Sequence, residues 1–200
     1  EDGSAPVIDG SGAQTWSKGI ETTGSNVTLV NLYVTGFSDT DEEGIRISGG
    51  SDNEIRYCKA YANNWGIRVN ASDSAAIKNC DIYNNSTHGV DIVQSTNVTV
   101  VWNKIHGNPL YGIRVESSSE ISRNMLYDNQ YGIYVDAVNG SSLSPTIKNN
   151  VIYEVTSDAM SYGIFTRSNN ESTVNPTIYH NTIDGGKLSG IRMEKDGTSA

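Results

Sequence analysis

Moving a proton from the carbon beside a sugar carboxylate takes three kinds of group. A cation must neutralise the carboxylate, a base must take the proton, and an acid must serve the leaving oxygen or the opposite face. The stretch 68–134 holds all three. Arg68 and Arg114 could neutralise, and His88, whose ordinary pKa suits transfer near neutrality, could be the base. Tyr111 or Tyr134 could be the acid, with Asp91 holding His88 or binding a cation. This set would fit β-elimination or C5 epimerisation of a uronate. A second reading stands beside it: Arg68 and Arg114 neutralise Asp91 in a solvated charge ladder, and His88 is a structural histidine.

What brings these residues together is a repeated phrase of glycine, aliphatic, variable residue and, usually, aliphatic. It reads Gly44-Ile45-Arg46-Ile47, Gly66-Ile67-Arg68-Val69, Gly89-Val90-Asp91-Ile92, Gly112-Ile113-Arg114-Val115, Gly132-Ile133-Tyr134-Val135, Gly163-Ile164-Phe165-Thr166 and Gly190-Ile191-Arg192-Met193. Successive glycines lie 22, 23, 23, 20, 31 and 27 residues apart, the spacing of stacked structural repeats. If the aliphatic residues point inward, the residue between them points out, as does the residue before each glycine. The second outward column reads Glu43, Trp65, His88, Tyr111, Tyr131, Tyr162 and Ser189. Arg46, Trp65, Arg68, Tyr111 and Tyr131 would then bind substrate, rings packing on sugar faces and guanidinium groups pairing with uronate carboxylates. An anionic polysaccharide is the expected partner.

Each repeat carries a further six-residue segment, as in Ile77-Lys78-Asn79-Cys80-Asp81-Ile82 and Ile121-Ser122-Arg123-Asn124-Met125-Leu126. Its first and sixth residues are both aliphatic, which one alternating strand forbids and two short strands around a turn allow. Three strands per coil, rising in one sense, must pair in parallel, so equivalent residues stack. The fourth position gives Cys58, Cys80, Asn103, Asn124, Asn150 and Asn181, an expected inward ladder satisfying turn backbone. Asn63, Asn85, Asn108 and Asn129 form a second, and Tyr61, Tyr83, His106, Tyr127 and Tyr153 an outer stack. Cys58 and Cys80, in one position of consecutive coils, are read as thiols standing in for asparagines, with a disulfide as the alternative.

The Gly-Ile-x-Val phrase with its downstream Ile-x-Asn-Asn-x-Ile segment resembles the right-handed parallel β-helix repeat of the pectin lyase-like superfamily. The resemblance implies an all-β solenoid of about seven to eight coils, with clear repeats over about 27–193 of a single domain, 1–200. Function is left open by it, since the superfamily spans lyases, hydrolases, epimerases, tailspikes and adhesins. The paired-aspartate and Asn-Thr-Asp motifs of polygalacturonase-like hydrolases are missing, Asn181-Thr182-Ile183-Asp184 being only a near miss. Thr87-His88-Gly89 lacks the first glycine of Gly-His-Gly, and no Asp-Pro-His of mannuronan epimerases occurs. Hydrolysis by paired carboxylates is therefore disfavoured. A lyase or epimerase remains, against a non-catalytic structural or adhesive module of a larger secreted or surface protein.

Composition narrows the partners. The charge is −9 with no basic run, which speaks against nucleic acid. No apolar stretch is long enough to insert in a membrane. The acidic loop Asp39-Thr40-Asp41-Glu42-Glu43 could hold Ca²⁺ through Asp39, Asp41 and Glu43, as lyase-like members often do, or be a solvated turn. The pattern is still running at Met193, so further coils or domains of a parent chain are expected.

Overall fold

The computed structural model describes residues 5–155, 161–169, 171–185 and 187–195. Among them the chain is a parallel β-solenoid of about seven turns, with no helix. The glycine phrases form one eight-stranded sheet, Lys18–Thr22, Glu43–Ser48, Trp65–Asn70, His88–Val93, Tyr111–Val115, Tyr131–Ala137, Tyr162–Ser168 and Ser189–Lys195. The six-residue segments split as the two aliphatic ends require. Their first halves, such as Ala76–Lys78 and Glu120–Ser122, make a seven-stranded sheet, and their second halves, such as Asp81–Tyr83 and Met125–Tyr127, another of eight strands.

Every pairing within these sheets is parallel, and apart from a register shift after Tyr153 where Val151–Val155 meets Thr182–Gly185 all are in register, so the core is a set of single-file columns. Ile45, Ile67, Val90, Ile113 and Ile133 stack in one, Ile47, Val69, Ile92, Val115 and Val135 in the next, and all are fully buried. The glycine column exists for want of space. A Cβ at Gly66, Gly89, Gly112, Gly132 or Gly163 would stand 2.6 to 2.7 Å from the carbonyl oxygen of the next glycine in the stack, and none of them needs a positive φ.

Both asparagine ladders form. In the turn after the seven-stranded sheet, the amide of Asn103 donates to Asn124 Oδ1 at 3.0 Å, Asn124 to Asn150 at 3.0 Å and Asn150 to Asn181 at 2.9 Å. In the next turn Asn63, Asn85, Asn108 and Asn129 repeat the pattern at 3.1 Å. Cys58 and Cys80 are free thiols. Each points its sulfur at the carbonyls an asparagine Nδ2 would reach: Cys80 Sγ lies 3.7 Å from the Ile55 oxygen, where Asn103 Nδ2 donates to the Ile77 oxygen at 2.9 Å. The two thiols are hydrogen-bonded to each other, which draws Cys58 down to about 7 and pushes Cys80 up. The outer stack forms too, with ring centroids 4.5 to 5.1 Å apart from Tyr61 through Tyr83, His106 and Tyr127 to Tyr153.

Candidate functional site

The glycine-phrase sheet turns three columns of side chains outward. The first runs Glu43, Trp65, His88, Tyr111, Tyr131, Tyr162 and Ser189. The second runs Glu21, Arg46, Arg68, Asp91, Arg114, Tyr134, Phe165 and Arg192, the order expected from the phrase. A third, at the end of each strand, includes Asp136, Arg167 and Glu194, with Glu116 just beyond Val115. Sequence reading stopped at the fourth residue of the phrase and missed this column. Continued alternation past the phrase was the signal for it.

The two halves of the face differ. In the coils of Arg46 to Arg114 charge is matched across the stack. Asp91 is completely buried. Arg114 Nη1 donates to its Oδ1 at 3.0 Å, and Arg68 Nε lies 3.3 Å from its Oδ2. Glu43, also buried, receives Arg46 and Arg68, each at 3.2 Å. Arg46 reaches Glu21 as well, and Arg114 pairs with Glu116. Burial raises the Glu116 carboxyl, the nearby Arg114 opposing it. Arg68 and Arg114 thus meet carboxylates of the protein itself, in a ladder whose acids are buried rather than solvated, and no hydrogen bond joins Asp91 to His88.

Glu43 stands apart from the rest of the acidic loop read for calcium. Although it adjoins Asp39 and Asp41 in sequence, it is a strand residue turned onto Arg46 and Arg68. Glu42, next to it, accepts the Asp39 amide at 3.0 Å. Among the described residues no three His, Cys, Asp or Glu converge as a metal site.

Aromatic rings dominate the other half. His88 lies flat against Trp65, centroids 5.8 Å apart at 2°, and 4.8 Å from Tyr111. Tyr111 stacks on Tyr134 at 4.7 Å, and Tyr131, Tyr134, Tyr162 and Phe165 continue the row at 5.0 to 6.0 Å. Arg68 caps the start of the row, 4.0 Å over the Trp65 ring. At its other end a depression of about 280 Å³ is lined by Tyr131, Tyr162, Phe165 and Arg192, among others. Burial lowers the pKa of His88, the nearby Asp91 carboxylate opposing it, so the ring is neutral at pH 7. Its Nδ1 is buried with no hydrogen-bond partner. Burial pushes Tyr111 up, and Tyr134 up to about 12, so both phenols stay protonated. One neutral imidazole thus stands beside two protonated hydroxyl groups.

A family model described as right handed beta helix region matches residues 2–124. The chain belongs to the right-handed β-helix family. A second model, described as periplasmic copper-binding protein (NosD), matches residues 66–200 of this β-helix. Both place it in the pectin lyase-like superfamily expected from the repeat. No curated protein matches the sequence. Among solved structures the β-helix is similar to an alginate lyase from Paenibacillus sp. str. FPU-7, with 14% identity and a TM-score of 0.54 over 96% of this chain and 82% of that one. It is also similar to the A-module of the mannuronan C-5 epimerase AlgE4 of Azotobacter vinelandii, with 18% identity and a TM-score of 0.52 over 86% of this chain. The match spans 65% of the epimerase module. At these identities the likeness is one of fold.

Proposed function

We propose that the outward face of the glycine-phrase sheet binds a polysaccharide laid along the solenoid axis. The observation that carries this reading is the unbroken row of rings from Trp65 to Phe165. Coils rise about 4.8 Å apart, close to the length of one pyranose unit. Each coil therefore carries a ring in step with the polymer, and the partly exposed Trp65, Tyr111, Tyr131 and Phe165 are the ones a sugar can reach. The similar folds of an alginate lyase and a mannuronan epimerase support the reading by analogy. A periplasmic or extracellular location agrees with it and with the NosD description.

Within this face we assign proton transfer to His88, with Tyr111 or Tyr134 as donor. A neutral His88 accepts a proton from a sugar carbon, and a protonated phenol returns one to the leaving oxygen or to the opposite face. This is the lyase or epimerase reading. The ion pairs of Arg68 and Arg114 favour the alternative, a binding module without turnover, because they leave the carboxylate-neutralising role unfilled. Resident copper does not fit the donors present. Among the described residues, His88 lies in the ring row, His106 is held by Asp81 at 3.2 Å in the outer stack, His180 stands in a turn, and Cys58 and Cys80 are buried with their sulfurs on backbone carbonyls.

Calorimetry against a panel of acidic and neutral polysaccharides tests the face. Trp65→Ala and Tyr131→Ala should each weaken binding about tenfold without moving the melting temperature. Unchanged affinity in both removes the proposed surface. For the chemistry, His88→Gln should lower the yield of unsaturated ends, or of C5 proton exchange with deuterated solvent, by about 100-fold or more. If wild type gives neither product, the binding module stands and the catalytic assignment falls.

A further inference from the structure

A second groove lies away from the glycine-phrase sheet, at the turn that joins the seven-stranded sheet to the sheet containing Lys104–His106 and Met125–Tyr127. Its volume is about 570 Å³, with Trp102, Lys104, Arg123, Met125, Asn149 and Val151 in its lining. Trp102, Met125 and Val151 are exposed apolar side chains, Trp102 at 59%. Such a cluster on a polar, acidic chain calls for a partner.

The groove also differs from the rest of the molecule in charge. Arg46, Arg68, Arg114 and Arg192 on the glycine-phrase sheet each meet a carboxylate. Arg123 and Lys104 meet rings instead: Arg123 lies 5.4 Å over Trp102, and Lys104 lies 5.5 Å over Tyr127. Neither forms an ion pair among the described residues. Two carboxylates of the neighbouring strands, Asp81 and Glu120, form their ion pairs with His106 at 3.2 Å and Lys148 at 3.1 Å. On a chain of net charge −9, two cations without an ion pair beside an exposed indole make this a locally basic spot.

The turn itself does not need these residues. Trp102 and Arg123 occupy a left-handed position, φ 60° and 57°, that other coils fill with Asn31, Tyr57, Asn79, Asn149 and His180. Asparagine takes that conformation at less cost than a bulky side chain.

We infer that this groove binds an acidic saccharide, a hexuronate unit whose pyranose face lies on Trp102 and whose carboxylate is met by Arg123 and Lys104. Met125 and Val151 cover the apolar edge of the sugar, and Asn149 offers amide hydrogen bonds to its hydroxyl groups. An acidic peptide fits less well, because an extended peptide draws affinity from main-chain pairing. Here the backbone amides are already used: Trp102 donates to the Ser122 oxygen at 3.3 Å, Arg123 to Lys148 at 3.2 Å, and Met125 to Asn103 at 2.9 Å. The site is separate from the ring row and does not depend on the function proposed for it. It assigns recognition of acidic sugar to a place where cations are available.

The test uses the intact chain and three probes: tetragalacturonate, its methyl ester, and a tetraglutamate peptide, titrated calorimetrically at low and high salt. The expected result is salt-sensitive binding of tetragalacturonate, at least about tenfold weaker for the ester and for Arg123→Ala, Lys104→Ala or Trp102→Ala. The titrations are repeated in a Trp65→Ala/Tyr131→Ala background, where binding that is still lost with Arg123→Ala belongs to this groove, which separates a failure here from a failure of the ring row. Ester binding equal to that of the acid overturns the inference. So does affinity unaffected by Arg123→Ala and Trp102→Ala, equal or tighter binding of the peptide, or no tetragalacturonate binding at all.

Discussion

His88 and Asp91 are one position apart in columns, three in sequence, and have opposite electrostatic surroundings. His88 titrates below its ordinary 6.5 because burial disfavours the imidazolium, so the unfolded chain binds the proton more readily. Stability should therefore fall as the pH drops below 6.5, and stop falling once the pH is below the depressed native value. His106, lowered the same way, adds to the trend. Urea unfolding at pH 7.5 and pH 5 checks it: His88→Gln should flatten the difference, and an unchanged slope would contradict the burial argument. Asp91 is the shared counter-ion of Arg68 and Arg114, so Asp91→Asn leaves two half-buried guanidinium groups facing each other. We expect a loss of about 2–3 kcal/mol by chemical denaturation, below the figure for a wholly buried pair because the arginines reach water. The sequence placed Asp91 in the right column and offered Arg68 and Arg114 as its partners in one of two readings, but could not choose between them, since whether stacked charges meet depends on side-chain reach across coils. Glu43 shows the same limit. Its neighbours in the chain suggested calcium, and its neighbours in the stack are arginines.

For the strands, periodicity was legible almost throughout. Aliphatic residues at both ends of Ile77–Ile82 required a turn in the middle, and the strands Ala76–Lys78 and Asp81–Tyr83 flank one. The glycine, visible only as a counting mark, has a steric cause: its missing Cβ admits the carbonyl of the next coil. Gly89→Ala should cost about 2–3 kcal/mol, since the added methyl would lie 2.7 Å from the Gly112 oxygen and 2.7 Å from Ile105 Cγ2. The same change at Gly12, which has open space but a positive φ, should cost less. Equal losses at both sites, read from thermal melts, would mean that space is not what the glycine column supplies. Trp102 escaped the sequence reading because a turn residue between two strands carries no periodic signal. Only the stacking of turns showed that it shares a groove with Arg123 and Val151.

In the whole molecule, each coil touches its two neighbours and little else, so damage should stay local. Asn108→Ala removes the acceptor for the Asn85 amide and Nδ2 and the donor to Asn129 Oδ1, all buried. Hydrogen exchange should quicken in the coils of Asn85 and Asn129, with about 2–4 kcal/mol less protection there, and stay unchanged around Asn53 and Asn181. Uniform loss along the chain would contradict nearest-neighbour stability. The ladders carry one further consequence. The backbone amide of each rung reaches forward to a side-chain oxygen, from Phe37 to Asn63, Asn63 to Asn85, Asn85 to Asn108 and Asn108 to Asn129, while the asparagine Nδ2 reaches back to a carbonyl of the preceding coil. The stack therefore has a direction, like a chain of arrows laid tip to tail. A coil meeting another end-on, in this chain or in a second copy, can continue the arrows only head to tail. Like ends brought together would set donor against donor, so end-on association would favour an open filament over a two-fold dimer.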